Sequence, residues 1–124
     1  MIDRYETPAM RKIWSREDKY RRWMEVEVAV AQAHADAGTV PPEAMAEIKA
    51  KAAFQLDRCD DIEKETRHDL AAFVRNLDEN IGPAGRWIHF GVTSYDVIDT
   101  ALGMMLRDSC TVLLDSASTL AGEI

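Results

Sequence analysis

Residues 94–124 read SYDVIDTALGMMLRDSCTVLLDSASTLAGEI, and only a helix accommodates that pattern. Val97, Ile98, Ala101, Leu102, Met105, Leu106, Val112, Leu113, Leu114, Ala117, Leu120 and Ile124 recur at helical spacing, with no Gly-Pro stop after them. The apolar face is too wide for one short domain to cover, so the helix must pack into a bundle or against other subunits. On this reading the 124 residues are the front portion of a longer polypeptide.

The segments before it also read at helical period. Ser15 and Asp18 have the spacing of a capping box, and the run 16–37 brings Tyr20, Trp23, Met24, Glu27, Val28, Ala31 and Ala35 onto one stripe before Gly38. Pro42 suits the first turn of a short Ala-rich helix over 42–53. Asp60 and Glu63 repeat the capping spacing, and Ile62, Thr66, Leu70, Phe73, Val74, Leu77 and Ile81 predict one continuous helix over 60–81. From Gly82 to Ser94 the chain is Gly-rich and aperiodic, an ordered loop that can hold a site. The class is all-α: a small helical N-terminal domain over 1–88, then a loop and the first long helix of a central bundle over 89–124.

Composition sets bounds on function. Fifteen Lys and Arg against twenty-two Asp and Glu leave a charge of −7, the wrong sign for a general nucleic-acid binder. Cys59 and Cys110 form neither a disulfide framework nor a CxxC pair, which suits a reducing cytoplasm. No apolar run reaches the roughly 18 residues a membrane span needs, and the first ten residues hold no signal-peptide core. Metal-binding motifs are absent, so no metal site is expected, and no Walker or dinucleotide signature appears either.

Three short clusters carry possible chemistry. Arg67, His68 and Asp69 fall beside an apolar face, where successive side chains diverge by about 100° and at least one must flank the stripe, as at the edge of a cleft. A solvated charged face explains the same residues. His89 precedes Gly91, Thr93 and Ser94 at the start of the last helix, whose free N–H groups and dipole favour an anion. Simple N-capping by Thr93 or Ser94, with Asp96 and Asp99 as first-turn acids, is the bland alternative. Arg4 and Tyr5 supply a guanidinium fork and a phenol for a phosphate or carboxylate, although a terminal Arg is commonly just solvated. His34 reads as an ordinary helix-end residue.

Three stretches of the chain carry a resemblance. They are Met1-Ile2-Asp3-Arg4-Tyr5 with Pro8-Ala9-Met10, Glu65-Thr66-Arg67-His68-Asp69-Leu70-Ala71-Ala72-Phe73, and His89-Phe90-Gly91-Val92-Thr93-Ser94-Tyr95-Asp96-Val97-Ile98-Asp99-Thr100-Ala101. Together they resemble the N-terminal third of the adenylosuccinate lyases, members of the fumarase/aspartase superfamily, and the similarity runs along essentially the whole chain. Carboxymuconate cycloisomerases carry something close to the last motif, so a cycloisomerase is the rival enzyme reading; a helical interaction module without catalysis is the rival from another class. The resemblance implies a cytoplasmic homotetramer that needs no cofactor. It would eliminate fumarate from adenylosuccinate, giving AMP, and from the succinylcarboxamide ribotide intermediate of purine synthesis, by general acid/base β-elimination. By motif match, Arg4 and Tyr5 hold the phosphate and ribose end, Arg67, His68 and Asp69 line the nucleotide pocket, Thr93 and Ser94 bind the succinyl carboxylate, and His89 joins the anion shell. His68 is also implied to assist the acid. The family's principal acid and base, and its Ser-Met-Pro-Lys loop, are not in these residues, so this chain by itself is not expected to be active.

Overall fold

A computed structural model describes residues 3–124; Met1 and Ile2, which open the first motif quoted above, lie outside the described residues. A 3₁₀ turn at Asp3–Tyr5 leads to α1 (Pro8–Ile13), α2 (Arg16–Asp36), α3 (Pro42–Lys51), α4 (Leu56–Thr66) and α5 (Asp69–Ile81). A second 3₁₀ turn at Pro83–Trp87 precedes α6 (Ser94–Gly122). The described residues contain no strand, and the all-α reading holds. The six-residue α1 has no buried residue, and its apolar periodicity is too short to be read in advance.

Ser15 caps α2 as its spacing implies, its hydroxyl accepting the Asp18 N–H at 3.1 Å. The stripe of α2 then builds the core. Tyr20 stacks on Trp23 at 4.8 Å between ring centroids, and Phe73 of α5 meets both rings edge-on at 5.4 and 5.6 Å. Full burial of side chains this large contributes about 1.5–3 kcal/mol each. Val97 and Ala101 of α6 belong to the same core as Trp23 and Phe73, so the first half of α6 is fastened to the helices before it.

The continuous helix expected over 60–81 is instead two helices, broken at Arg67 and His68. Arg67 takes a left-handed conformation (φ 52°, ψ 33°) and ends α4, while His68 is extended and caps α5. The pairs Arg58–Glu79 (2.7 Å), Cys59–Asn76 (3.5 Å) and Glu65–Arg75 (3.0 Å) run in opposite order along the two helices, which makes α4 and α5 an antiparallel hairpin. Folding back buries Ile62 and Cys59 of α4 together with Leu70 and Phe73 of α5, which a straight helix would leave on one unsupported rod. Nor does Asp60 cap anything: α4 starts earlier, at Leu56, and Asp60 is paired with Arg16 of α2, whose guanidinium holds the carboxyl below its ordinary range.

Helices α2 and α6 pack against each other, and the pairs Arg22–Asp108 and His34–Phe90 show them antiparallel. Asp18, 5% exposed, lies 3.5 Å from Arg22, so the α2–α6 seam holds a partly buried acid–base–acid run. After Ser109 the helix leaves the body. Leu113, Leu114 and Leu120 are 61–67% exposed on a rod of 29 residues, about 44 Å at a rise of 1.5 Å per residue. No helix among the described residues is long and apolar enough to cross a membrane.

Candidate functional site

The break between α4 and α5 builds the site. Because His68 is the N-cap of α5, its Nδ1 accepts the Ala71 N–H at 3.3 Å. A ring nitrogen that accepts carries no proton, so in the neutral ring the proton is on Nε2. That atom faces Ser94 Oγ at 3.4 Å, across the interface to the first turn of α6. Ser94 thus accepts from His68, and its own O–H remains to be donated to a third group.

Asp69 adjoins this pair. Its Oδ1 accepts the Leu70 N–H at 2.8 Å and lies 3.7 Å from His68 Nδ1, too far for a hydrogen bond. Its Oδ2 is 3.8 Å from Lys19 Nζ, which rests over the Trp23 ring at 4.5 Å. An apolar cleft of about 360 Å³, lined in part by Lys19, Trp14, Trp23, Ile98 and Leu102, opens beside the group, with Ile98 one helical turn beyond Ser94.

Arg67 is exposed, and its guanidinium makes no hydrogen bond or ion pair among the described residues. Its left-handed backbone costs about 1 kcal/mol or more for a side chain of this size. Only one other described non-glycine residue has a positive φ: His89, at 60°. Both therefore fall among the residues singled out from sequence, as strained backbone at a functional site tends to.

His89 is turned to α2. Its backbone N–H donates to Glu27 Oε2 at 2.8 Å and its Nδ1 lies 2.7 Å from Glu27 Oε1, on a carboxylate with 0% side-chain exposure. His34 secures the next residue, with Nε2 3.0 Å from the Phe90 carbonyl and the two rings edge-on at 5.2 Å. It lies partly exposed in the last turn of α2, as expected, and in addition braces the 89–91 loop. A side chain at Gly91 (φ 76°) would approach His34 Nε2 to 3.2 Å, so the loop needs glycine there.

Thr93 is the N-cap of α6 and forms a capping box with Asp96, whose Oδ2 accepts the Thr93 N–H at 2.8 Å. Asp96 therefore occupies part of the anion-binding potential of this helix start, and Ser94 is the residue of the pair with a hydroxyl turned to His68. Arg4 and Tyr5 contact each other, with the guanidinium 3.2 Å from the phenol oxygen and 5.0 Å from the ring centroid. Both are exposed, and no hydrogen bond or ion pair among the described residues joins them to the His68–Ser94 group. The fold thus gathers Arg67, His68, Asp69 and Ser94, sets Thr93 beside them, and leaves Arg4–Tyr5 and His89 on separate contacts.

Three participants escaped the reading of the sequence. Lys19 and His34 gave no signal, because each acts only through a distant partner. Glu27 did give one: it is an acid in the middle of an otherwise apolar stripe, and a buried carboxylate needs a donor.

A family model described as Lyase matches residues 3–124. An adenylosuccinate lyase of Synechocystis sp. is 48% identical over 124 residues, 100% of this chain and 29% of the relative. Those of Streptococcus mutans and Bacillus subtilis are 46% and 41% identical, each over about nine-tenths of this chain and 26% of the relative. The chain thus spans between a quarter and a third of the length of these relatives. A solved fumarate lyase from Mesorhizobium sp. BNC1 superposes at a TM-score of 0.77 and 32% identity, covering 84% of this chain and 25% of that one. The 3-carboxy-cis,cis-muconate lactonizing enzyme from Pseudomonas putida superposes at 0.80 and 32% identity, covering 88% and 26%.

Proposed function

Since the chain belongs to the lyase family whose model spans residues 3–124, we propose that it supplies one wall of the active site of an adenylosuccinate lyase. The reaction is elimination of fumarate from adenylosuccinate and from the succinylcarboxamide ribotide. A base removes a proton from the carbon next to a carboxylate, charge develops on that carboxylate, and an acid protonates the departing nitrogen. The charge that develops calls for fixed donors.

The observation that carries this reading is the His68–Ser94 contact. It aligns Nε2–H with the Ser94 hydroxyl, whose own proton then points onward to a substrate oxygen. Ser94, with Thr93 beside it, binds the succinyl carboxylate; Arg67, His68 and Asp69 line the nucleotide pocket, and His68 assists the acid. Arg4 and Tyr5 bind the phosphate and ribose end. The complete polypeptide assembles as a homotetramer. The exposed half of α6 is the surface through which copies assemble. Residues 1–88 form the N-terminal domain and 89–124 the loop and first part of the central bundle. The family's principal acid and base come from sequence outside these residues, the enzyme works without a cofactor in the cytoplasm, and this chain alone does not turn over substrate.

The superposition on a lactonizing enzyme favours a second reading, a cycloisomerase of the same superfamily. One substitution separates the two. In the polypeptide of the complete reading frame, Arg4→Ala should weaken adenylosuccinate binding more than about tenfold, or 1.4 kcal/mol, as read by fumarate release. A wild-type polypeptide that releases no fumarate from adenylosuccinate overturns the lyase reading.

A further inference from the structure

We propose that Glu27 is a positioning residue for His89: buried in α2, it holds the imidazole with its proton on Nδ1, so that Nε2 is the atom presented to an anionic group of the substrate. The substrate half of this statement rests on the lyase reading; the tautomer half does not.

With Glu27 ionised, the geometry leaves one assignment. A carboxylate only accepts, and both oxygens of Glu27 are occupied by His89: Oε2 by the backbone N–H at 2.8 Å, Oε1 by Nδ1 at 2.7 Å. Nδ1 must therefore carry a proton. Nε2 makes no hydrogen bond among the described residues, although the ring is only 26% exposed. Two further features show that the pose is held in place. His89 sits at φ 60°, a conformation that the backbone bond to Glu27 maintains, and His34 anchors the adjoining Phe90 carbonyl at 3.0 Å.

A fully buried carboxylate is costly without a counter-charge. When Nε2 takes a proton from solvent, the pair becomes carboxylate and imidazolium. Nε2–H is then a charged donor of fixed direction for a phosphate or carboxylate oxygen. His68 has the opposite arrangement, its Nδ1 accepting and its Nε2 carrying the proton in the neutral ring, so the two imidazoles differ in which nitrogen is committed to the protein.

Imidazole ¹⁵N shifts of the 124-residue chain test the tautomer. The expected spectrum shows His89 protonated at Nδ1 at every pH and His68 as the Nε2–H form in its neutral state. A neutral His89 dominated by Nε2–H overturns the proposal. In Glu27→Gln, the amide oxygen keeps the backbone N–H and the amide NH₂ faces Nδ1, which forces that nitrogen to accept. The His89 tautomer should then switch to Nε2–H while His68 is unchanged. A folded variant whose His89 remains Nδ1–H also overturns it, and if the variant does not fold the wild-type spectrum still decides.

The substrate half is read in the polypeptide of the complete reading frame. There Glu27→Gln, which leaves Nε2–H an uncharged donor, should raise KM for adenylosuccinate about tenfold with a smaller change in kcat, the mark of a weakened anion donor. An unchanged KM overturns the substrate half. Absence of fumarate release in the wild type would instead remove the lyase reading and leave the tautomer result standing.

Discussion

Ser94 Oγ lies 3.4 Å from His68 Nε2, although the two residues are 26 apart in the chain. The contact exists because His68 performs two tasks with two ring atoms. Nδ1 caps α5 and so fixes the plane of the ring, and the fixed ring directs Nε2 at the start of α6. A structural role and the proposed chemical role share one side chain, and they can be separated by substitution.

Asparagine is a better N-cap than histidine and reaches the same Ala71 N–H, but it has nothing at the position of Nε2. His68→Asn should therefore unfold at the wild-type temperature or slightly above it. In the polypeptide of the complete reading frame it should lower kcat/KM for adenylosuccinate at least about tenfold. A double-mutant cycle with Ser94→Ala should give a coupling of about 1 kcal/mol in the same assay. Additive losses would show that the two side chains act independently.

Arg67 separates stability from binding in the same manner. Glycine adopts the left-handed conformation at the end of α4 without strain, so Arg67→Gly should raise the stability of the chain by about 0.5–1 kcal/mol in urea. The price is the unpaired guanidinium, and nucleotide affinity in the complete polypeptide should fall about tenfold or more. Equal affinity would place Arg67 outside the pocket.

Acid sensitivity follows from three carboxyls. Arg16 lowers Asp60, Arg58 lowers Glu79, and Arg107, followed by Arg22, lowers Asp108. Each binds its proton less readily in the folded chain than in the unfolded one. Their contribution is therefore complete above the ordinary carboxyl range and is lost as the pH falls through it, from about 5 downward. Thermal melts followed by circular dichroism should show a steady fall in Tm below about pH 5, shallower in Arg58→Met, where Glu79 loses the main group that lowers it. The Arg16–Asp60 and Arg58–Glu79 pairs are exposed, so 1 M salt should flatten the same slope.

The two cysteines should react very differently. Burial pushes the Cys59 thiol up to about 11, whereas Cys110 is exposed on α6. At pH 8 a disulfide reagent should modify a single thiol of the native chain, at Cys110, and both in denaturant. Rapid labelling of Cys59 would contradict the packing of α4 on α5.

Residues that act through their near neighbours were readable in advance. The Ser15 cap, the extents of α2, α3 and α6, and the unfinished apolar face of α6 all follow from spacing over one or two turns, where each residue's partner lies three or four positions away. The hairpin was not readable, because Ile62 to Ile81 keeps helical phase straight through Arg67 and His68, and neither is a glycine or proline. Only the burial gained by folding α4 onto α5 outweighs the strain at Arg67.

The site divides in the same way. Its residue types were visible: a charged triplet, a hydroxyl pair at a helix start, and an acid at position 27 inside an apolar stripe. Sequence alone therefore determined an all-helical chain with polar groups placed at helix ends, since both depend on local backbone hydrogen bonding. Which of those groups meet was decided by tertiary packing, because the contacts that define them, His68 with Ser94 and His89 with Glu27, join residues 26 and 62 positions apart. Separations of that length carry no periodic trace in the chain and exist only once α2, α5 and α6 have closed around a common core.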